Sequence, residues 1–181
     1  MSAAALAAPV AGREPVTLSV NGRAEIVLAR PGQPLLDVLR RELGLFGARE
    51  GCAVGMCGAC TVLLDGRPVS ACLLPVALAT DQEITTVEGL AGPDARLHPV
   101  QQAFVERNAF QCSYCTPGFV LATVGMLEEQ PDVSDQEVRA YLSGNLCRCG
   151  CYREIVEAAL AARDVLLRSA DGNAKGEDVD S

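Results

Sequence analysis

The first regular pattern in the chain is an alternation of apolar and polar residues over positions 16–20 (VTLSV). Asn21-Gly22 follows it, and this dipeptide is typical of two-residue hairpin turns because both residues tolerate positive φ. The segment 24–28 is apolar enough to pair back on the first. The pattern therefore predicts a β-hairpin near the N-terminus.

A similar pattern recurs at positions 61–64 and 69–72, which flank the turn dipeptide Asp65-Gly66 and predict a second hairpin. Between the two hairpins, Pro34 suits the first turn of a helix whose apolar residues repeat at helical spacing. These residues are Leu35, Leu36, Leu39 and Leu43. Two hairpins and one helix predict a small α+β domain.

In the second half of the chain the apolar period becomes that of helices. Pro99 suits the first turn of one helix. Thr116-Pro117 suits the start of another, with Thr116 as the cap and Pro117 at the first helical position. Ser134 with Glu137 three residues later forms a capping box. The apolar stripes of four predicted helices are Val100, Ala103 and Phe104; Val120, Leu121, Val124 and Leu127; Val138, Tyr141 and Leu142; and Ile155, Val156, Ala159 and Leu160.

The change from strands to helices predicts a domain boundary, with a linker around residues 89–95. We therefore expect a first domain over residues 16–90 and a helical domain over residues 96–166. Residues 1–15 and 167–181 lack this patterning and are expected to form a disordered arm and a disordered tail. A chain of 181 residues is long enough for two such small domains.

Charge and hydropathy exclude two classes of partner. The chain has 23 acidic and 15 basic residues, and the net charge of -8 argues against nucleic acid. No apolar run approaches the roughly 20 residues of a membrane-spanning helix. The alanine-rich N-terminus lacks the charged start, apolar stretch and cleavage site of a signal peptide. We therefore expect a cytoplasmic protein, because thiols stay free to bind metal in a reducing compartment.

Eight of the nine cysteines fall into two quartets with different spacing, which suggests two metal centres. The quartets are Cys52, Cys57, Cys60 and Cys72, and Cys112, Cys115, Cys147 and Cys149. The first reads C-x4-C-x2-C with a distant fourth cysteine, which is the plant-type spacing for a [2Fe-2S] cluster. Glycines within its loop would let backbone N–H groups approach the sulfurs.

Zinc and disulfides are the rival uses of these cysteines. The first quartet lacks the two C-x2-C pairs of a zinc ribbon, and nothing in the sequence favours the secreted location in which disulfides persist. In the second quartet, Cys112 and Cys115 precede a predicted helix, whose dipole favours thiolate. A thioredoxin-like redox pair would need a βαβ setting that the chain lacks. His98 is the only histidine, so a Rieske centre, which needs two, is excluded.

Three motifs, taken in order, resemble those of the iron-sulfur subunit of the molybdenum hydroxylases. This is the family of xanthine dehydrogenase, aldehyde oxidoreductase and aerobic carbon monoxide dehydrogenase. The motifs are EGCAVGMCGAC at 50–60, QCSYCTPG at 111–118 and NLCRCG at 145–150. The resemblance extends from residue 16 to about residue 163.

The resemblance implies an α+β fold, with an N-terminal β-grasp, plant-type ferredoxin-like domain followed by a C-terminal four-helix domain. Each domain would hold one [2Fe-2S] cluster, with the two cysteine quartets as ligands. The chain would relay electrons within an oxidoreductase whose substrate chemistry takes place on a partner subunit, so it would itself hold no catalytic residue.

The same resemblance implies partners and an order of transfer. A large subunit with molybdopterin and a medium subunit with FAD would be the partners, in a dimer of heterotrimers. Gln111 and Cys149 would lie against the pterin. The second cluster would therefore accept electrons first, and the first cluster would pass them to the flavin or another acceptor.

The sequence departs from the family pattern at two places. Ser113 stands where glycine is more common. Gly150-Cys151 stands where Thr-Gly or Gly-Thr is usual, and the ninth cysteine leaves Cys149 and Cys151 as an alternative ligand pair. The family pattern favours Cys147 and Cys149, with Cys151 as a buried free thiol. A stand-alone two-cluster ferredoxin or redox-sensing module is the alternative function.

Overall fold

A five-stranded mixed sheet forms the first part of the protein, whose computed structural model describes residues 12–92 and 94–174. The strands are β1 (Glu14–Val20), β2 (Arg23–Ala29), β3 (Thr61–Leu64), β4 (Arg67–Ser70) and β5 (Glu83–Thr85), in the spatial order β2-β1-β5-β3-β4. Strand β5 runs parallel to β1 and antiparallel to β3. It therefore joins two antiparallel hairpins, β1–β2 and β3–β4, into one sheet.

Both predicted hairpins are confirmed, and their turns explain them. Asn21 and Gly22 have φ of 53° and 71°, and Asp65 and Gly66 have φ of 47° and 78°. Positive φ at both central residues defines the type I′ turn, whose twist matches that of the strands. Strand β5 was missed because three residues are too few for an alternation to register.

Five α-helices lie in the described residues, one beside the sheet and four after it. They are α1 (Leu35–Arg41), α2 (Pro99–Glu106), α3 (Thr116–Glu129), α4 (Asp135–Tyr141) and α5 (Tyr152–Ala174). Helix α1 shares a buried core with the sheet, and the other four helices form a second core. Every residue from Gly118 to Leu127 is buried, so α3 is the central helix of the second core. Leu63 of β3 packs into that core, which joins the sheet to α3.

The disordered arm expected over residues 1–15 and the disordered tail expected over residues 167–181 both include residues that belong to a strand or a helix. Strand β1 already includes Glu14 and Pro15, which pair with Ala29 and Leu28 of β2. Helix α5 continues to Ala174, because Leu166 still packs against the helical core and a polar helix can extend into solvent beyond it. Residues 1–11 and 175–181 lie outside the described residues. None of the described helices is long and apolar enough to span a membrane.

The start signals of the helices are mostly confirmed. His98 caps α2 by accepting a hydrogen bond from the Val100 N–H group at its Nδ1 atom. Helix α3 begins at Thr116 itself and follows Cys115, so the prediction that Thr116 is the cap is wrong. Tyr141, predicted to be buried, is 39% exposed because it lies at the end of α4.

The capping box of α4 gives a first testable prediction. The Ser134 hydroxyl accepts from the Glu137 N–H group at 3.3 Å, and the Glu137 carboxylate accepts from the Ser134 N–H group at 2.7 Å. Ser134→Ala should lower the stability of α4 against local unfolding by about 1 kcal/mol. The amides of α4 should then exchange with solvent about fivefold faster. Ser169→Ala, an exposed serine of α5, is the control. Unchanged exchange in α4 would show that the cap adds no stability.

Candidate metal centres

The first quartet surrounds the loop between α1 and β3, with its fourth member just beyond β4. The Cys52 side chain contacts that of Cys57, and the Cys60 side chain contacts that of Cys72. Cys60 and Cys72 are buried, whereas Cys52 and Cys57 are half-buried. The structure thus gathers the predicted quartet as an outer pair and an inner pair.

Backbone N–H groups of the loop point at the outer sulfur. The nitrogens of Val54 and Met56 lie 3.4 and 3.2 Å from Cys52 Sγ. Their hydrogen bonds lower the pKa of Cys52 to about 7 and so favour the thiolate, the form that binds metal. Burial raises the pKa of Cys60 to about 11, so metal binding must drive the loss of that proton.

Glycine is required beside the outer pair for steric reasons. A Cβ atom on Gly51 would lie 2.8 Å from the Cys57 sulfur. The backbone at Gly51 therefore lies closer to the Cys57 sulfur than a residue with a side chain could. The amide-lined loop predicted from the sequence is present at Cys52, whose sulfur accepts from two backbone N–H groups.

The second quartet is built from two loops of the helical part. Cys112 and Cys115 precede α3, and Cys147 and Cys149 lie between α4 and α5. Cys112 contacts Cys149, and Cys115 contacts Cys147. The Tyr114 N–H group, followed by the Cys149 side chain, lowers the pKa of Cys112. Burial raises the pKa of Cys115 to about 12, which repeats the division into an outer and an inner pair.

This pairwise arrangement fits a two-iron cluster better than a single ion. In the described part of the chain, no three His, Cys, Asp or Glu side chains are placed to hold one metal ion. A structural zinc ion takes four ligands around one point, whereas each iron of a [2Fe-2S] cluster takes two cysteines. All nine cysteines are free thiols. The pairwise contacts of the eight cysteines therefore fit two [2Fe-2S] clusters.

One cavity of about 380 Å³ connects the two sites. Cys57 of the first quartet lines it, together with Cys112, Cys115 and Cys147 of the second. Two aromatic side chains, Tyr114 and Tyr152, complete much of its wall. Cysteines of both quartets therefore line the same cavity.

A backbone junction holds the two cysteine loops together. The Leu146 N–H group donates to the Cys57 carbonyl oxygen at 2.9 Å. The buried Asn145 side chain donates from Nδ2 to the Gly58 carbonyl oxygen at 3.2 Å. A Cβ atom on Gly118 of α3 would overlap that same carbonyl oxygen. The position of one loop is therefore set by direct contact with the other.

Comparisons with known proteins agree with this geometry. A model described as a 2Fe-2S iron-sulfur cluster binding domain matches residues 33–109, and a [2Fe-2S] binding domain model matches residues 86–160. One of the nicotinate dehydrogenase subunits of Pseudomonas putida is 46% identical over 82% of this chain and 94% of its own length. The aldehyde oxidoreductase iron-sulfur-binding subunit of Escherichia coli is 43% identical over 80% of this chain and 69% of its own. The chain belongs to the iron-sulfur subunits of the molybdenum hydroxylase family.

A solved structure supports the same assignment for this iron-sulfur subunit. The aldehyde oxidoreductase of Desulfovibrio desulfuricans superposes with a TM-score of 0.80 and 42% identity over 84% of this chain. The subunit spans only 17% of that protein's chain. The predictions of the family, of two [2Fe-2S] clusters and of electron transfer in an oxidoreductase are confirmed. The stand-alone ferredoxin is not favoured.

The structure also locates the residues about which the sequence left a choice. Cys151 of the iron-sulfur subunit is buried and contacts Cys147, while Cys147 and Cys149 reach the two cysteines before α3. Gln111 is exposed and directly precedes Cys112. Ser113 has a φ of 61°, a conformation that favours glycine, which accounts for the glycine that is more common there.

Two contacts of the iron-sulfur subunit were missed from the sequence. The only sign in the sequence of the hydrogen bond from Asn145 to Gly58 was a polar residue two positions before Cys147. Tyr114 is 46% exposed, and its hydroxyl donates to the Glu50 carbonyl oxygen at 2.7 Å. It therefore bridges the two cysteine loops on their exposed side.

Proposed function

We propose that this subunit relays electrons from a molybdopterin centre on a large partner subunit, through its two clusters, towards FAD or another acceptor. The cavity shared by the two quartets is the observation that carries this proposal. A [2Fe-2S] cluster supplies one-electron transfer when bound. Two such centres that face each other can carry, one at a time, the two electrons of a substrate oxidation.

The eight cysteines of the two quartets are the proposed ligands. Cys147 and Cys149 belong to this set, and Cys151 does not, because the contacts of Cys147 with Cys115 and of Cys149 with Cys112 support two iron-binding pairs. The inner and outer cysteines would then hold different irons. No residue of this chain contacts a substrate in the proposed mechanism.

The proposed fold is a β-grasp, ferredoxin-like domain over residues 16–90 followed by a four-helix domain over residues 96–166. Parallel pairing of β1 with β5 and the helix α1 beside the sheet support the first assignment. The separate core of α2, α3, α4 and α5 supports the second. Each domain would then contribute one cysteine quartet.

Gln111 and Cys149 are proposed to lie against the pterin of the large subunit. Gln111 and Cys112 are exposed, and Cys149 contacts Cys112 at this surface, so a cofactor on another chain could approach the second quartet here. Electrons would then enter at the helical domain. They would leave from the first quartet, whose loop exposes Val54 and Met56 to solvent.

Exposed apolar side chains support two different partner surfaces. Tyr114, Leu146 and Tyr152 are exposed around the second quartet, while Val54, Met56 and Leu73 are exposed around the first. Exposed apolar groups that cluster in this way are typical of interaction sites. We assign the surface around the second quartet to the molybdopterin-binding partner and the surface around the first quartet to an FAD-binding partner. The complex would be a cytoplasmic dimer of heterotrimers.

Metal analysis of the intact complex tests this proposal. The chain, tagged and purified with its partners from its own host, should contain about four irons per copy, since each of two clusters has two irons. Molybdenum should co-purify with it. A complex without molybdenum, or a tagged chain that elutes as a stable monomer with both clusters, would contradict the proposed function.

A further inference from the structure

Core packing alone does not fix the side chain of Tyr114, which lies between Cys112 and Cys115. The residue is 46% exposed, so burial of its ring contributes less than it would in the core. Its hydroxyl donates to the Glu50 carbonyl oxygen at 2.7 Å. The Arg49 guanidinium lies over its ring, with Cζ 5.7 Å from the ring centroid, within the range of a cation–π interaction. Two polar contacts therefore direct this side chain towards the first cysteine loop.

Both ends of this contact are attached to segments that carry proposed ligands. Glu50 lies two positions before the first cysteine of its quartet, and Tyr114 directly precedes Cys115. The Arg49 N–H group donates to the Ala59 carbonyl oxygen at 3.0 Å, which closes the base of the first loop. A displacement of Tyr114 relative to Glu50 would therefore move the ligands of one quartet relative to those of the other.

The two loops have another attachment at a different place. The Leu146 N–H group donates to the Cys57 carbonyl oxygen at 2.9 Å, from a segment that follows α4, whereas Tyr114 precedes α3. Two loops joined at one point can still rotate about it, but a second attachment from a different segment removes that freedom. Tyr114 and Leu146 both line the shared cavity, so the two attachments border the space between the quartets.

We propose that Tyr114 is a positioning residue, which fixes the separation and orientation of the two clusters through the hydrogen bond of its hydroxyl to Glu50. The inference rests on the proposed relay between the two clusters. Functional groups keep their geometry when hydrogen bonds lock the segments that carry them. Tyr114 acts in this role through the backbone of the first loop and not through a cysteine sulfur.

Hydrogen exchange and low-temperature EPR of the intact complex test this proposal. Tyr114→Phe keeps the ring and removes the donor, so the amides of residues 50–56 should exchange about two- to tenfold faster. The magnetic splitting between the two reduced clusters should broaden, because the clusters would then sample a range of separations. The iron content should stay at about four per chain.

Tyr141→Phe is the matched control. It removes the same hydroxyl from a tyrosine that does not line the shared cavity, and it should leave the exchange of residues 50–56 and the splitting unchanged. Tyr114→Leu also removes the ring that contacts Arg49, so both effects should be larger than in Tyr114→Phe.

The proposal requires both changes in Tyr114→Phe. Wild-type splitting in this variant would overturn it even if exchange were faster, because the contact would then hold the loop only locally. Wild-type exchange would overturn it as well, and so would a fall to about two irons per chain, since the hydroxyl would then be needed for iron binding. The molybdenum content of these complexes tests the proposed function separately.

Discussion

Cys147→Ser should remove the helical-domain cluster and abolish turnover of the complex. Cys147 is buried and contacts Cys115, and we propose that these two residues are ligands of the second cluster. Serine is a poor substitute for a thiolate, so the iron content should fall from about four to about two per chain. One of the two EPR signals should disappear, and no electrons could cross to the first cluster.

Cys151→Ser is the matched control for this variant. It changes a cysteine only four positions away that is also buried, and it should retain both EPR signals. The contrast separates loss of a ligand from general damage to the core. Retention of both clusters and of turnover in Cys147→Ser would show that our ligand assignment is wrong.

Gly118→Ala should separate α3 from the first cysteine loop. The added methyl group would overlap the Gly58 carbonyl oxygen and approach the Ala59 Cα atom at 3.3 Å. These are backbone atoms, so neither can rotate away. The free energy of unfolding should therefore fall by about 3 kcal/mol, the upper end of the usual range for overpacking. The thermal midpoint of the protein should fall by roughly 6 to 12 °C.

Gly144→Ala gives the corresponding control. Nothing lies within 4 Å of a Cβ atom at Gly144, which lies in the loop after α4. This variant makes the same chemical change without a clash, and its midpoint should stay close to that of the wild type. Equal midpoints for the two variants would mean that the contact between Gly118 and Gly58 does not limit stability.

Local patterns account for the parts of the fold that the sequence predicted. Asn21-Gly22 and Asp65-Gly66 require positive φ within two residues, so the hairpins follow from a few neighbouring residues. The capping box at Ser134 is equally local. The presence of two [2Fe-2S] clusters could also be predicted, because the spacing of the cysteines within each motif is itself informative.

Contacts between distant segments account for what the sequence did not predict. Strand β5 forms through pairing with β1, more than 60 positions away, and its own three residues carry little signal. The hydrogen bond from Asn145 to Gly58 spans 87 positions and depends on how the helical core packs against the sheet. The cavity shared by the quartets arises from this same packing, so the relative position of the two sites had to be read from the structure.

Low-temperature EPR of the fully reduced complex tests the central claim, that two adjacent [2Fe-2S] clusters form one relay in this chain. The shared cavity and the hydrogen bond between Leu146 and Cys57 bring the two sites close together. We therefore expect two distinct cluster signals, each split by magnetic interaction with the other. A single cluster signal, or two signals without any interaction, would contradict the account.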